Sequence, residues 1–352
     1  MTEMNFHPLQ KGEVRKAVRR ECPSRIPMVE ATWWGEGLVR QYGAALNEVE
    51  QFSDVEFMGI SPINYNEMGL SWKLPENTSH DAAAVLDDWS KLDEFIEKLP
   101  TPEDFFRRKP EKHKECRQVA KRAESDDRYL MYRQWRLFYE RPWQIRGMEN
   151  LMTDYYLFPE KVHKLNQALA DMYIEFIRHV HNDFGPDGFW TSDDLGHQTQ
   201  LMIPLEVFQE FLKPYYAQVG KVLKQLDMDW WLHSCGNNTQ VMNDLVEAGV
   251  DIFHPVQKDT MDEVSVAREF GDKLSFLAGI DVQHVLQEKT ADGVREEVRF
   301  LIDTFDRPDG GMCIAAGNGI VSGTPIENIA AFLDEAYRYG ASHRRTFEGQ
   351  TK

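Results

Sequence analysis

The chain has 352 residues, of which 42% are hydrophobic, so it is long enough to bury one large core or two smaller ones. Its 58 acidic and 40 basic residues give a formal net charge of −18, which repels nucleic acid and anionic lipid, and no apolar run approaches the roughly 20 residues that span a bilayer. We therefore expect a cytoplasmic protein with no nucleic-acid or membrane partner. Its four cysteines lack the paired spacing of a disulfide framework, so we expect them to be reduced thiols.

Eight short apolar segments have the character of buried parallel strands, and segments with helical periodicity lie between them. The strands are predicted over residues 26–32, 55–60, 129–133, 188–192, 229–233, 251–254, 274–279 and 312–316, with helices over 203–226, 240–248 and 294–305. A further helix is expected before the first strand. This alternation fits one α/β domain over residues 1–352, a (β/α)8 TIM barrel, better than a doubly wound sheet, because no glycine-rich phosphate loop follows the first strand.

The stretch between the second and third predicted strands is too long for a simple connection, and we interpret it as an insertion. Residues 62–75 have the composition of a turn or hairpin excursion, and residues 89–99 have the pattern of an amphipathic helix. Residues 102–125 predict a charged helix that is interrupted at Pro110, because proline cannot donate the helical hydrogen bond.

Function in such a barrel concentrates at the carboxyl ends of the strands, where polar residues accumulate in this chain. The residues that we select there are Glu30, Trp33 and Trp34, Asp193, Asp194 and Gln198, His233 and Cys235, His254 and Gln257, Asp281, and Asn318. Their convergence predicts a pocket at this rim.

The tripeptide His233-Ser234-Cys235 is the sharpest of these signals. Alternate residues of a strand point to the same side, so the imidazole and the thiol leave the strand end together, as half of a zinc site would. The plainer alternative is that Cys235 is a small buried residue and that His233 bonds a backbone carbonyl.

Several segments of the chain resemble the uroporphyrinogen decarboxylase superfamily from about residue 145 to the C-terminus. They are Ser192-Asp193-Asp194-Leu195-Gly196, His233-Ser234-Cys235-Gly236, Glu247-Ala248-Gly249-Val250-Asp251 with Pro255-Val256-Gln257, Gly279-Ile280-Asp281, and Thr324-Pro325-Ile326-Glu327-Asn328-Ile329. The chain looks closer to the corrinoid-dependent methyltransferase and O-demethylase branch than to the haem-pathway decarboxylases. The resemblance implies a (β/α)8 barrel, in agreement with the strand count.

The residues characteristic of the decarboxylases are not matched. Their arginine-rich segment after the first strand corresponds here to residues 30–36, where acids and tryptophans cannot replace a guanidinium fork. Their essential aspartate would fall near Ser61, and on Asp54 only under a shifted alignment.

The methyltransferase branch is matched in part. The resemblance implies a zinc ion, held by His-x-Cys and by a cysteine after the last strand, that binds the thiol accepting the methyl group. His233 and Cys235 match, whereas Asn318 stands at the third position and Cys313 lies inside the predicted eighth strand. A carboxylate can replace the missing sulfur, and Glu30 is the first candidate, followed by Asp194 and His254.

For the remaining selected residues, both a functional role and a purely structural role are considered. We expect catalytic roles for Asp194 and Asp281, and substrate contacts from six others, which are Trp33, Trp34, Asp193, Gln198, Gln257 and Asn318. One of the paired aspartates is expected to bond free backbone amides, and Asp281 has a capping role as its alternative. The two tryptophans plug the barrel mouth or face a flat macrocycle or an aryl methyl ether.

Three functions follow as hypotheses. The first is a zinc-dependent methyltransferase that moves a methyl group between a corrinoid cofactor or corrinoid protein and a small thiol or folate-type acceptor. The second is a carboxy-lyase acting on a tetrapyrrole or another carboxylated substrate. The third is a barrel that binds a corrinoid or tetrapyrrole without catalysis.

Overall fold

The computed structural model describes residues 6–29, 33–47, 52–71 and 84–348. The strands in these ranges are β1 (Val55–Gly59), β2 (Tyr129–Gln134), β3 (Gly188–Ser192), β4 (Asp229–His233), β5 (Ile252–His254), β6 (Ser275–Ile280) and β7 (Met312–Ala316). The α-helices are α1 (Lys11–Arg19), α2 (Leu38–Tyr42), α3 (Leu92–Glu97), α4 (Pro102–Arg108), α5 (Pro110–Ser125), α6 (Glu140–Arg146), α7 (Met148–Leu157), α8 (Pro159–Phe184), α9 (Leu205–Val207), α10 (Lys213–Gln225), α11 (Met242–Ala248), α12 (Glu263–Phe270), α13 (Val285–Glu288), α14 (Ala291–Phe305) and α15 (Ile326–Glu348).

The chain folds into two compact units, each built from segments that are distant in sequence. The first comprises Met1–Glu56, Arg122–Leu130 and Asp251–Lys352, and the second comprises Phe57–Lys121 and Met131–Val250. In the second unit, β2, β3 and β4 pair in parallel in chain order. In the first unit, β5, β6 and β7 do the same. The organisation of the whole chain as one domain stays a prediction.

Seven of the eight predicted strands are confirmed, with ends that agree within one residue. Parallel strands alternating with helices also confirm the predicted α/β class. The first predicted strand differs, because its described part forms only isolated bridges, from Met28 to Ile314 and from Val29 to Ser53. The Met28 amide donates to the Asp54 carboxylate at 2.8 Å instead of to a neighbouring strand. Residues 30–32 of this segment lie outside the described ranges.

The helices of the predicted insertion also appear where the sequence places them. Thr101 caps α4 by accepting from the Asp104 amide, and Pro102 occupies the first helical position. Pro110 then begins α5, so the predicted interruption is confirmed. The predicted excursion at 62–75 is a turn in its described part, and residues 72–83 lie outside it.

The core of the second unit is built on β3 and β4, all of whose residues are buried. Trp190, Trp230 and Trp231 are almost completely enclosed, and the Trp230 indole donates to the Thr191 hydroxyl at 2.9 Å. Continuous apolar runs of this kind are typical of parallel strands that are covered on both faces.

Helices α10 and α11 approach each other at a glycine. A Cβ atom on Gly220 would lie 1.9 Å from the Ala248 carbonyl oxygen, far inside van der Waals contact. The close approach therefore requires glycine at this position.

Asp193 fixes the beginning of α6. Its buried carboxylate accepts from the backbone amides of Phe138, Tyr139 and Glu140 at 2.7–2.9 Å and from the Tyr216 hydroxyl at 2.8 Å. Amides at a helix N-terminus have no partner within the helix, so a buried carboxylate there satisfies them and opposes the helix dipole. This side chain joins the loop after β3 to the loop after β2.

Glu140 lies beside this carboxylate, at the first position of α6. Burial raises the pKa of Glu140 to about 8, and the negative charges of Asp194 and Asp193 act in the same direction. Arg136, 3.8 Å away, and the hydroxyl of Ser192, which donates at 3.0 Å, oppose the shift. This shift favours the protonated form of Glu140.

Among the described helices, none combines the length and the apolar composition needed to cross a bilayer.

Replacing Gly220 by alanine should destabilise the protein by about 1–3 kcal/mol, because the new methyl group forces α10 away from α11. Urea denaturation measures the change in the free energy of unfolding. Gly12→Ala is the matched control, since outside its own helical turn no atom of the described residues lies within 4 Å of its Cβ position, and it should be neutral or stabilising. Equal effects of the two substitutions would contradict the packing argument.

Replacing Glu140 by glutamine should reduce the dependence of stability on pH. A carboxyl group whose pKa is raised on folding stabilises the fold fully below its ordinary pKa, and this contribution is lost as the pH rises through about 8. Between about pH 5 and about pH 9, the wild type should lose about 4 kcal/mol more than Glu140→Gln. Urea denaturation at both pH values tests this, with the exposed Glu149→Gln as the control that keeps the wild-type dependence.

Candidate metal centre

Three potential metal ligands meet at the carboxyl ends of β3 and β4. His233 is the last residue of β4, Cys235 follows two positions later, and Asp194 lies two positions beyond β3. His233 Nε2 lies 3.3 Å from Cys235 Sγ and 3.6 Å from Asp194 Oδ1. One ligand atom from each side chain lies within 4.8 Å of the other two. All three residues belong to the second unit.

These separations suit a tetrahedral ion. With zinc–ligand bonds of about 2.0–2.3 Å, tetrahedral angles place neighbouring ligand atoms about 3.3–3.8 Å apart. The two measured distances fall in this interval. Imidazole, thiolate and carboxylate are all accepted by zinc, and three protein ligands are typical of catalytic zinc sites, which keep a position for water or substrate.

The loops that carry the ligands are held together through their backbones. The Gly196 amide donates to the Cys235 carbonyl at 3.2 Å, and the Asn237 amide donates to the His197 carbonyl at 2.7 Å. A Cβ atom on Gly236 would lie 2.3 Å from the carbonyl carbon of Gly196, and Gly236 has a φ of +79°, a conformation that L side chains rarely adopt. Two glycines thus allow the approach that brings Asp194 to the His-x-Cys motif.

Side chains between the ligands fix the turn after β4. The Ser234 hydroxyl accepts from the Leu195 amide at 3.0 Å and donates to Asn238 Oδ1 at 2.9 Å. The Asn238 amide group donates to the carbonyls of Ser234, Cys235 and Gly236, each at 3.0 Å. Sequence reasoning missed both supporting residues, although the Gly-Asn-Asn run after the motif signals a tight turn.

Charge and burial favour the ligand form of the histidine. Burial lowers the pKa of His233, and the neighbouring Asp194 carboxylate opposes the shift only in part. The imidazole is therefore neutral at neutral pH and keeps a lone pair for a metal. His233 is 4% exposed, whereas the Asp194 side chain is 46% exposed, so the group meets solvent on the Asp194 side. The Cys235 amide donates to Asp194 Oδ1 at 2.9 Å and orients that carboxylate.

Other residues that the sequence selected near this group have different surroundings. Asp193 is occupied by the start of α6, as described above, and Gln198 is exposed in the loop after β3. Glu30, the first candidate for the third ligand, lies outside the described residues. In the described part of the second unit, it is Asp194 that joins His233 and Cys235.

The first unit contains the remaining selected residues. Buried Trp33 packs against His254 with ring centroids 5.1 Å apart, and His254 Nε2 donates to the Ala316 carbonyl at 3.0 Å. Trp34 and Gln257 are partly buried. These contacts are compatible with the packing alternative for Trp33.

Asp281 and Asn318, in the first unit, accept hydrogen bonds from backbone amides close to them in sequence. Asp281 Oδ1 accepts from the amides of Gln283 and His284 at 2.7 and 2.6 Å, which is the capping geometry considered as its alternative. Asn318 is exposed, and its Oδ1 accepts from the Gly319 amide at 2.7 Å. Cys313 is buried within β7, as the sequence predicts.

The loop after β2 contributes polar groups that sequence reasoning missed. Arg133, Arg136 and Glu140 all lie near the carboxyl end of β2. Polar residues at the carboxyl ends of the other predicted strands were selected as candidates. The same criterion, applied to the third predicted strand, would have identified these residues.

Comparison with solved structures shows the type of fold. A structure described as a methyltransferase from Methanosarcina mazei matches with a TM-score of 0.67 at 15% sequence identity, covering 95% of this chain and 99% of that one. The match supports the TIM-barrel type of α/β fold predicted from the sequence.

Curated relatives are matched over shorter segments. A methylated-thiol–coenzyme M methyltransferase of Methanosarcina mazei is 23% identical over 189 residues, which are 54% of this chain and 48% of the relative. A methylcobamide:CoM methyltransferase of Methanosarcina acetivorans is 25% identical over 134 residues, which are 38% of this chain and 37% of the relative. The chain thus spans about half or less of the length of these relatives. These matches confirm the predicted closeness to the methyltransferase branch.

The family profile described as uroporphyrinogen decarboxylase (URO-D) matches residues 144–339, which are more than half of the chain. This range includes both strands of the metal centre, β3 and β4, and all three of its candidate ligands. The chain therefore belongs to the uroporphyrinogen decarboxylase family.

Proposed function

We propose that this chain transfers a methyl group between a corrinoid and a small-molecule acceptor, with a zinc ion held by Asp194, His233 and Cys235. The observation that carries the proposal is the group itself, in which the His233 nitrogen lies at tetrahedral separations from the Cys235 sulfur and from an Asp194 oxygen, and all three ligand atoms lie within 4.8 Å of one another. The names of the curated relatives, both methyltransferases that act with coenzyme M, support the reaction class.

Each residue has a distinct task in this proposal. Cys235 supplies a thiolate and His233 a neutral imidazole, which stacks against Trp190 with ring centroids 6.5 Å apart and is thereby held in orientation. Asp194 replaces the third cysteine that the resemblance implies, and its half-exposed side chain leaves the group accessible from solvent. When bound there, zinc supplies the Lewis acidity that keeps a thiol acceptor in its thiolate form at neutral pH.

The acceptor and the corrinoid carrier are further parts of the proposal. A thiol acceptor suits zinc because sulfur is among its preferred ligands, and a folate-type acceptor is the alternative. The corrinoid is either a free cofactor or a group on a separate corrinoid protein.

Asp54, which a shifted alignment would match to the essential aspartate of the decarboxylases, does not support decarboxylation. The Asp54 carboxylate is fully buried and bonded by both nitrogens of the Arg25 fork at 2.6 Å and by the amides of Leu9 and Met28. Such a group is committed to the fold. Ser61, at the position of the preferred alignment, has no carboxyl group.

Purified protein should contain about one zinc ion per chain, and His233→Ala, Cys235→Ala and Asp194→Asn should each lower that content. Elemental analysis after dialysis against a weak chelator measures it. His197→Ala and Cys313→Ala are the matched controls, because His197 is exposed and Cys313 is buried in β7. Absence of zinc from the wild type, or content unchanged in the three variants, would rule out the proposed centre.

The zinc-loaded protein should consume methylcobalamin in the presence of a small thiol or of tetrahydrofolate and form the methylated acceptor. Cys235→Ala should lower the rate on the order of 100-fold, because groups that hold or orient a metal have effects of about that size. The cobalamin absorbance spectrum and mass spectrometry of the acceptor follow the reaction, with Cys313→Ala as the control.

The same preparation distinguishes the alternatives. Release of carbon dioxide from a porphyrinogen without methyl transfer would favour the carboxy-lyase. Quenching of tryptophan fluorescence by cobalamin without any turnover would favour the non-catalytic barrel.

A further inference from the structure

Arg133 lies on the same sheet face as the metal centre. It is the fifth residue of β2 and is aligned in register with Trp190 of β3, while Ser192 is aligned with His233 of β4. The Trp190 ring stacks at 6.5 Å from the His233 ring, so Trp190 lies between Arg133 and the candidate ligands. The guanidinium extends toward β1, where a Cβ atom on Gly59 would lie 3.9 Å from Nη2.

Two aromatic rings flank this guanidinium. Its central carbon lies 5.4 Å from the Phe57 ring centroid and 5.4 Å from that of Trp135. Phe57, Arg133 and Trp135 are all partly exposed, whereas Trp190, whose ring centroid lies 6.4 Å from that of Phe57, is buried. The Arg133 guanidinium thus lies in a largely aromatic environment formed by Phe57, Trp135 and Trp190.

Arg133 has no anionic partner within the described residues. Its Nε is buried and has no hydrogen-bond acceptor there, and none of the described ion pairs includes its side chain. Burial lowers the pKa of Arg133, and no neighbouring charge opposes the shift. Nearby arginines differ, because Arg136 lies 3.8 Å from Glu140 and Arg141 donates to Gln144 and to the Trp135 carbonyl.

A partly buried cation without an anionic partner among the described residues is costly, above all in a chain whose acids outnumber its bases by 18. Aromatic rings interact with the face of a guanidinium and leave its N–H groups, which point outward in the plane, available for an acceptor. A carboxylate can accept hydrogen bonds from two parallel N–H groups of a guanidinium. An aromatic ring is the group that packs best against the neighbouring aromatic side chains.

We propose that Arg133 binds the carboxylate of a small aromatic acid whose ring lies against Phe57 and Trp135. The subsite adds a small aromatic acid to the substrates considered for the proposed methyl transfer, beside the thiol and folate-type acceptors, and in that respect rests on the proposed function. The binding itself requires only Arg133 and its aromatic neighbours, so it can be tested without metal or corrinoid.

Isothermal titration of the metal-free full-length protein with benzoate tests the subsite, and tryptophan fluorescence gives a second readout. Benzoate should bind at least about 10-fold more tightly than benzyl alcohol, which lacks the charge, and more tightly than acetate, which lacks the ring. Arg133→Gln should weaken benzoate binding about 10- to 100-fold, and Arg133→Lys should restore it only in part, because an ammonium group lacks the fork.

The matched control is Arg136→Gln, which removes the same charge three positions further along the chain, just after β2, and should leave benzoate affinity within about 2-fold of wild type. Thermal melting of each variant shows that it is folded. The proposal is overturned if benzoate does not bind the wild type at millimolar concentration, if Arg133→Gln binds it as well, or if benzyl alcohol or acetate binds equally.

The two proposals fail separately. If zinc and methyl transfer are absent but benzoate binding depends on Arg133, the subsite stands and the reaction is wrong. If zinc binds as expected but benzoate binding does not depend on Arg133, the metal centre stands and the subsite is wrong.

Discussion

The candidate centre depends on a close backbone contact between the loops that follow β3 and β4. Neither Gly196 nor Gly236 has room for a side chain at this contact. Hydrogen bonds then lock the two loops together, through the Gly196 amide and through the buried Ser234 hydroxyl. Any displacement of one loop would separate Asp194 from His233 and Cys235. The geometry of the centre is therefore a property of the backbone, and the ligand side chains need little freedom to reach it.

Two adjacent aspartates serve opposite purposes because successive side chains after a strand end face different surroundings. Asp193 is enclosed and holds the start of α6, whereas Asp194 is half exposed and lies with the candidate ligands. Two consecutive residues thus connect the packing of the fold to the candidate metal centre. Glu140 adds a third acid to this region, and its raised pKa keeps the local negative charge lower than the number of carboxyl groups suggests.

The positions of the strands were predictable because buried parallel strands need continuous apolar runs, and β3, β4 and β7 match the predicted bounds at both ends. The His-x-Cys pair was predictable for a local reason, the alternation of side chains at a strand end. The place of Asp194 beside this pair was not predictable, because it depends on the close approach of two loops at Gly196 and Gly236. The isolation of Arg133 also could not be read from the sequence, since a nearby acid, Glu140, lies beside Arg136 instead.

The single sulfur of the centre has a consequence for its redox chemistry. Zinc sites with two or more cysteines can release the metal when an oxidant joins two of their thiols in a disulfide. The Asp194–His233–Cys235 group contains one thiol, so no disulfide can form within it. Oxidation of Cys235 proceeds instead to a sulfenic acid, or to a mixed disulfide with a thiol from outside the group, and both products are reversed by reducing thiols. In the proposed centre, a carboxylate in place of a second cysteine therefore rules out an internal disulfide and leaves Cys235 sensitive to thiols in its surroundings.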